Sequence, residues 1–322
     1  FGFRKYLGRI GSLIGGFLFL ISPFLLYYGR YTRNEAFIEL FAVLTFYGIL
    51  RYFSKRDNFS LYLLAVVTAL QFTTKEVAYI YTAQLLLFCG FVFLYDVWNF
   101  PWEEIRKRTI AFALLLFGAL IGAVGLLLLK YVSPESGADF RQYLGMGLLA
   151  TGALLVIIDI ISVIRQFGWQ IIRKSPAFNL IVFIGALILP LLTAFPVRML
   201  GWDPLDYSSA GIIHTGIVMI VLFVISFLIG IWWNRNVFLK SLIAFYLIFI
   251  TFYTTLFSNG HGFFTGMVGS LGYWLTQQDV QRGSQPLYYY AAILIPIYEY
   301  VAVAGSILGI FFAAKHHLFW AM

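Results

Sequence analysis

About ten mainly apolar stretches, each close to the length of a membrane crossing, follow one another along this chain with only short polar connections. They fall at about 10–29, 36–53, 59–74, 77–95, 109–130, 143–164, 178–195, 211–233, 237–257 and 288–314. A helix needs roughly 20 apolar residues to cross the hydrocarbon layer. The runs of Leu, Ile, Val and Phe lack the period-2 alternation of barrel strands, so helices are expected. The stretches at 36–53 and 59–74 are short for a crossing. Composition agrees: 61% of the 322 residues are hydrophobic and only 11% charged. A water-facing shell requires more charge than that. The expected fold is all-α, a polytopic transmembrane helical bundle of about ten membrane segments.

The net charge of +8 would raise nucleic acid as a partner in a soluble protein. In a membrane chain it is first a statement about topology. With the N-terminus inside and the segments alternating, the inside connections hold Arg4, Lys5, Arg9, Arg51, Lys55, Arg56, Arg106, Lys107, Arg108, Arg165, Arg173, Lys174, Arg235, Lys240 and Lys315. These are 15 of the 22 Lys and Arg. Most of the acids fall outside, among them Glu35, Glu39, Glu76, Asp203, Asp206 and Asp279. The expected location is the cell inner membrane, multi-pass, with the N-terminus and the short basic loops cytoplasmic. The expected partners are membrane lipids, not nucleic acid. The single cysteine, Cys89, can form neither an internal disulfide nor a thiolate metal cage.

Three outward-facing constellations are candidates for chemistry. The first joins the first two segments, at 22–35. Arg30, Arg33 and Asn34 share one helical face there, and Glu35 and Glu39 another. Two arginines beside carboxylates suit a phosphate together with a metal or a sugar hydroxyl. An interfacial belt, with snorkelling Arg and anchoring Tyr, would use the same residues. The second is the turn Thr73-Thr74-Lys75-Glu76, where a compact ammonium suits phosphate and Glu76 would set its position; a solvated turn with a local ion pair is the plainer reading. The third is the loop at 258–287, with His261 between Gly260 and Gly262, where glycine allows close backbone approach to a ligand. It reads as an outward loop folded back on the membrane surface. Glu299 lies well inside an apolar segment and is a candidate for lining a cavity, whereas Asp159 near an inner end would snorkel or pair with Arg165. Walker A, HExxH, CxxC and catalytic-triad signatures are absent.

The order of these pieces resembles a known family. The run 22–35, Thr74-Lys75-Glu76, and 269–290 followed by Pro296 and Glu299 are similar to the flippase-activity-associated membrane proteins of bacteria and archaea. Those proteins are relatives of the dolichyl-phosphate-mannose protein mannosyltransferases, in the GT-C glycosyltransferase superfamily. The resemblance runs across most of the chain. It implies a GT-C-like bundle with an outward site that takes a sugar from a polyprenyl-phosphate carrier. It also implies an acidic pair in the first outer loop; this is not found after Phe1, so one or two N-terminal helices of the family fold are expected to lie upstream of a single domain at 1–322. By the resemblance, Lys75 contacts the carrier phosphate with Glu76 beside it. Arg30, Arg33 and Glu35 lie near the donor head group, with Glu35 the catalytic candidate, and His261, Arg282 and Glu299 belong to the acceptor side or its loop. A divalent metal is allowed and none is required. The partner is a lipid-linked sugar. A non-catalytic subunit, or a flippase partner bound to another membrane protein, would keep the same fold.

Overall fold

The structure, a computed structural model, describes residues 2–30, 34–130, 140–277, 285–286 and 288–315. Among them every regular element is helical. The expected helical membrane bundle is there, but the count of about ten crossings is not. Among the described residues, five helices are long and apolar enough to cross, or six if one bent pair counts as a single crossing. The differences trace to particular residues. The stretch at 10–29 is split into α1 (Arg4–Ile21) and α2 (Pro23–Gly29). Pro23 has no N–H to continue the helix, and Ser22 before it takes ψ 120°. The stretch at 178–195 is likewise interrupted. α8 (Pro176–Ile188) gives way at Pro190 to a 3₁₀ turn, Leu189–Leu192, and then to the short α9 (Ala194–Met199).

The crossing helices begin with α3 (Glu35–Lys55). Arg56 ends it in the left-handed conformation, its N–H bonded to the Tyr52 carbonyl. Asp57 then caps α4 (Asn58–Thr74), accepting from the Ser60 N–H at 3.1 Å and the Ser60 hydroxyl at 2.5 Å. It is also paired with Arg51, Nη2 to Oδ2, at 2.6 Å. The Arg51 guanidinium and these hydrogen bonds lower the Asp57 pKa from 3.8 to about 2. A depressed carboxylate contributes stability above its unfolded value, and that stability is lost as pH falls through the folded one. Acid unfolding should therefore steepen between about pH 4 and 2. Asp57→Asn, which keeps the cap acceptor but loses the ion pair, should flatten that limb of a pH-stability curve by lowering neutral stability toward the acid value; an unaltered acid limb would contradict the assignment.

The chain divides into two compact units. One comprises Phe1–Leu86 with Val182–Met322, the other Leu87–Ile181. In the first, α4 is the buried element. Leu61, Leu64, Ala65, Val67, Thr68, Ala69, Gln71 and Phe72 are all buried, over more than half of the helix circumference, and no residue from Ser60 to Thr74 is exposed. That explains its short length: a helix walled by protein need not match the hydrocarbon thickness. It packs against α3, where a side chain on Gly48 would strike Leu64 at 2.8 Å, and against α10 (Ser209–Tyr253). At 45 residues α10 would span about 67 Å if straight, twice the hydrocarbon layer. It does not run straight. Asn234 leaves the helical conformation at φ −162°, ψ 96°, and its side chain caps the second limb at the Val237 N–H. The rings of Phe223 and Tyr246 then meet at a tilt of 48° with centroids 5.1 Å apart, where a straight helix would hold them roughly 35 Å apart. The stretches at 211–233 and 237–257 are thus the two limbs of one helix folded back on itself. Phe238, Phe245 and Phe249 are fully buried on the second limb.

The second unit holds most of α5 (Ala78–Trp98), then α6 (Ile105–Lys130) and α7 (Phe140–Ile172). α6 and α7 pack antiparallel with backbones in near contact. A Cβ on Gly152 would lie 2.5 Å from the Gly118 carbonyl oxygen, and one on Gly125 would lie 2.7 Å from that of Gly145. Small residues let membrane helices approach this closely where no hydrophobic force drives them together. Gly152→Ala should cost about 1–3 kcal/mol, read as a lowered unfolding temperature in detergent. Gly147→Ala, where a Cβ meets nothing within 4 Å, should cost little. At the hairpin's far end Val97, Ala111, Val163 and Phe167 form a small core. Trp102 and Phe100 close it edge-on to Phe167, at 4.8 and 5.1 Å. Asp159 does not pair with Arg165: it is 6% exposed and its Oδ1 has no partner.

Candidate functional site

Antiparallel pairing of α3 with α4 sets the first residue of α3 beside the last of α4. Lys75, in extended conformation after Thr74, pairs its Nζ with Glu35 Oε1 at 2.6 Å. Asn34 donates its side-chain amide to the Thr74 carbonyl at 2.9 Å. The first two constellations of the sequence thus meet. The ion pair is half-buried, with the Lys75 and Glu35 side chains 36% and 19% exposed. A half-buried ammonium keeps more of its Coulomb energy than one in open water. It has three donors, and Glu35 takes one.

Glu76 follows in a tight turn, its carbonyl accepting from the Tyr79 N–H at 3.1 Å. Tyr79 is buried and its hydroxyl lies 3.2 Å from Ser270 Oγ and 3.3 Å from the Leu191 carbonyl. Ser270 belongs to the third constellation. The end of α10 is bound to the same place: the Tyr253 hydroxyl donates to the Phe72 carbonyl at 3.1 Å. Beyond Tyr253 the chain turns through Thr255, Leu256 and Phe257, all at positive φ, and enters α11 (His261–Phe264). A π-helical stretch, Thr265–Gly269, and α12 (Ser270–Gln277) follow. This part of the glycine-rich region is packed helix, with Met267, Val268 and Leu271 buried. Its glycines are points of contact. A Cβ on Gly262 would lie 1.8 Å from the Tyr253 carbonyl oxygen, and one on Gly269 would lie 2.4 Å from the Tyr207 hydroxyl. Burial, with Asp203 nearby, pushes the Tyr207 hydroxyl above the usual phenol range, so it is a neutral donor at physiological pH.

The remaining candidates are placed as follows. Arg30 is exposed just past α2 and His261 is exposed at the start of α11. Arg33 and Arg282 lie outside the described residues. Glu299 sits where α13 (Ile295–Tyr298) and α14 (Tyr300–Lys315) meet at a bend of 100°. Its Oε1 accepts from the Ser22 hydroxyl at 2.5 Å and the Phe24 N–H at 3.2 Å. It therefore fastens the bent pair to the start of the first constellation. Among the described residues no three His, Cys, Asp or Glu side chains converge as metal ligands. Tyr79, Ser270, Tyr207 and Tyr253 were not singled out in the sequence. Only the position of Ser270 within the 269–290 run pointed toward any of them.

Chemically, the first unit offers a half-buried ammonium beside a carboxylate, next to a turn held by the Tyr79 and Tyr253 hydroxyls, which donate to the Leu191 and Phe72 carbonyls. No curated protein and no solved structure matches the chain. Residues 3–136, which include Arg30, Arg33, Glu35, Lys75 and Glu76, match the family model of the dolichyl-phosphate-mannose-protein mannosyltransferases.

Proposed function

We propose that this multi-pass membrane protein is a glycosyltransferase of the GT-C kind that takes its sugar from a polyprenyl-phosphate carrier at the outer face of the cell inner membrane, with its short basic loops cytoplasmic. The observation that carries the reading is the Lys75–Glu35 pair at 2.6 Å, built by two motifs that both lie within the family match. In the reaction an acceptor hydroxyl attacks the anomeric carbon and the bond from that carbon to the phosphate oxygen breaks. The carrier leaves as polyprenyl phosphate, and the hydroxyl proton passes to a carboxylate. Attack opposite the leaving group inverts the anomeric centre. Lys75 neutralises the phosphate as charge develops on it, with Glu76 holding the turn. Arg30 and Arg33 lie near the head group. Glu35 is the candidate base, freed from Lys75 when the phosphate takes the ammonium. His261, Arg282 and Glu299 belong to the acceptor side, Glu299 through its hold on Ser22.

A second reading is a non-catalytic subunit or flippase partner that binds the carrier without transfer. It is favoured by the Glu35 carboxylate being already engaged by Lys75. Transfer of hexose from a labelled polyprenyl-phosphate hexose by the purified protein separates the two. The first reading expects transfer, lost in Glu35→Gln while carrier binding persists. Carrier binding without transfer, together with a membrane partner copurifying in fixed ratio, would establish the second.

A further inference from the structure

The second unit carries a groove that the proposed transfer does not use. It has a volume of about 780 Å³ and lies at the basic end of the α6–α7 hairpin, lined by Glu103, Lys107, Ile158, Ile161, Ser162, Arg165 and Gln166. The α7 residues follow the spacing of a single helical face. Their polarity is graded: Ile158 and Ile161 stand deeper along the helix, and Ser162, Arg165 and Gln166 stand toward its basic end. Lys107 is engaged by two acids at the rim, Glu103 at 2.7 Å and Glu104 at 3.6 Å. Arg165 has no carboxylate partner among the described residues. Within the lining, Gln166 Nε2 is buried and has no acceptor. An unpartnered buried donor is costly, and one beside the Arg165 cation suits an anion rich in acceptor oxygens.

We propose that this groove is a binding site for the phosphodiester headgroup of an anionic membrane phospholipid, with an acyl chain lying against Ile158 and Ile161. Arg165 meets the headgroup charge, Lys107 screens the two acids beside it, and Ser162 and Gln166 donate to the headgroup oxygens. The graded wall selects a lipid over a free phosphate, because an inorganic ion has no use for the apolar half of the groove. Basic pockets between membrane helices recognise anionic headgroups in this way. The site lies in the second unit, away from the Lys75–Glu35 pair in sequence and in unit, and its existence does not depend on sugar transfer.

Native mass spectrometry of the full protein with added phosphatidylglycerol or phosphatidylcholine tests it. Wild type should retain phosphatidylglycerol about tenfold or more over phosphatidylcholine. Arg165→Gln, at an exposed position, should remove most of that preference, and Lys107→Gln combined with it the rest. The charge-keeping pair Arg165→Lys with Lys107→Arg should preserve it, and Lys75→Ala should leave it unchanged. Excess inorganic phosphate should fail to displace the lipid. Equal retention of the two lipids, or a preference that survives Arg165→Gln with Lys107→Gln, would overturn the proposal. Displacement by inorganic phosphate alone would also overturn it and would point to a free anion.

Discussion

Lys75→Ala is expected to weaken binding of polyprenyl phosphate by about tenfold or more. A hydrogen bond from an ammonium to a phosphate contributes about 1.5–3 kcal/mol net, and about 1.4 kcal/mol is a factor of ten in affinity. The same substitution should hardly move thermal stability. The pair with Glu35 is more than a third exposed on the lysine side, and pairs of that kind contribute about 1 kcal/mol at most. Loss of binding at unchanged unfolding temperature would therefore be a ligand effect. Lys75→Arg should recover part of the affinity, since the charge is kept while its geometry changes. Titration of the purified protein with polyprenyl phosphate measures this directly. Equal affinities for wild type and Lys75→Ala would remove the lysine from the site.

Gly262→Ala is the second large expected effect, and it acts on the architecture. The added methyl would have to occupy a point 1.8 Å from the Tyr253 carbonyl oxygen and 2.8 Å from its carbonyl carbon. No rotamer change relieves a clash with backbone, so α11 must lift from the end of α10. The cost is expected to be at least about 2 kcal/mol, at the upper part of what overpacking produces. It should also reach the site. Tyr253 bonds to Phe72, and Ser270 a few residues on bonds to Tyr79 behind Lys75. A lower unfolding temperature should thus be accompanied by weaker carrier binding. Gly260→Ala two residues earlier, where a Cβ meets nothing within 4 Å, is the matched control and should do neither. A harmless Gly262→Ala would mean that α11 does not rest on α10 as described.

Hydropathy made the class of fold legible in the sequence, and the motifs made one corner of the site legible. Apolar runs identify membrane helices because hydrocarbon accepts little else. They do not reveal where a run is broken. Ser22-Pro23 and Pro190 each end a helix inside a run that hydropathy joins, and Glu299 marks a sharp bend in another. Asn234 turns a continuous helix back on itself through one side-chain cap. The meeting of Glu35 with Lys75 could be placed on one side of the membrane by charge, but its contact depends on α4 being just long enough to return from Asp57 to the start of α3. Tyr79 and Tyr253 carry no polar pattern along the sequence. They matter because of what their hydroxyls reach across the fold, to Ser270 and Phe72.

The central claim is that a polyprenyl phosphate binds where Glu35 and Lys75 meet. A photoreactive polyprenyl phosphate, activated on the full protein in membranes and mapped by peptide mass spectrometry, tests it most directly. Adducts are expected to concentrate on the peptides carrying Arg30, Glu35 and Lys75, with a further set near Ser270, all competed by excess polyprenyl phosphate. Competed adducts confined to other segments, with the peptides carrying Glu35 and Lys75 unlabelled, would contradict it.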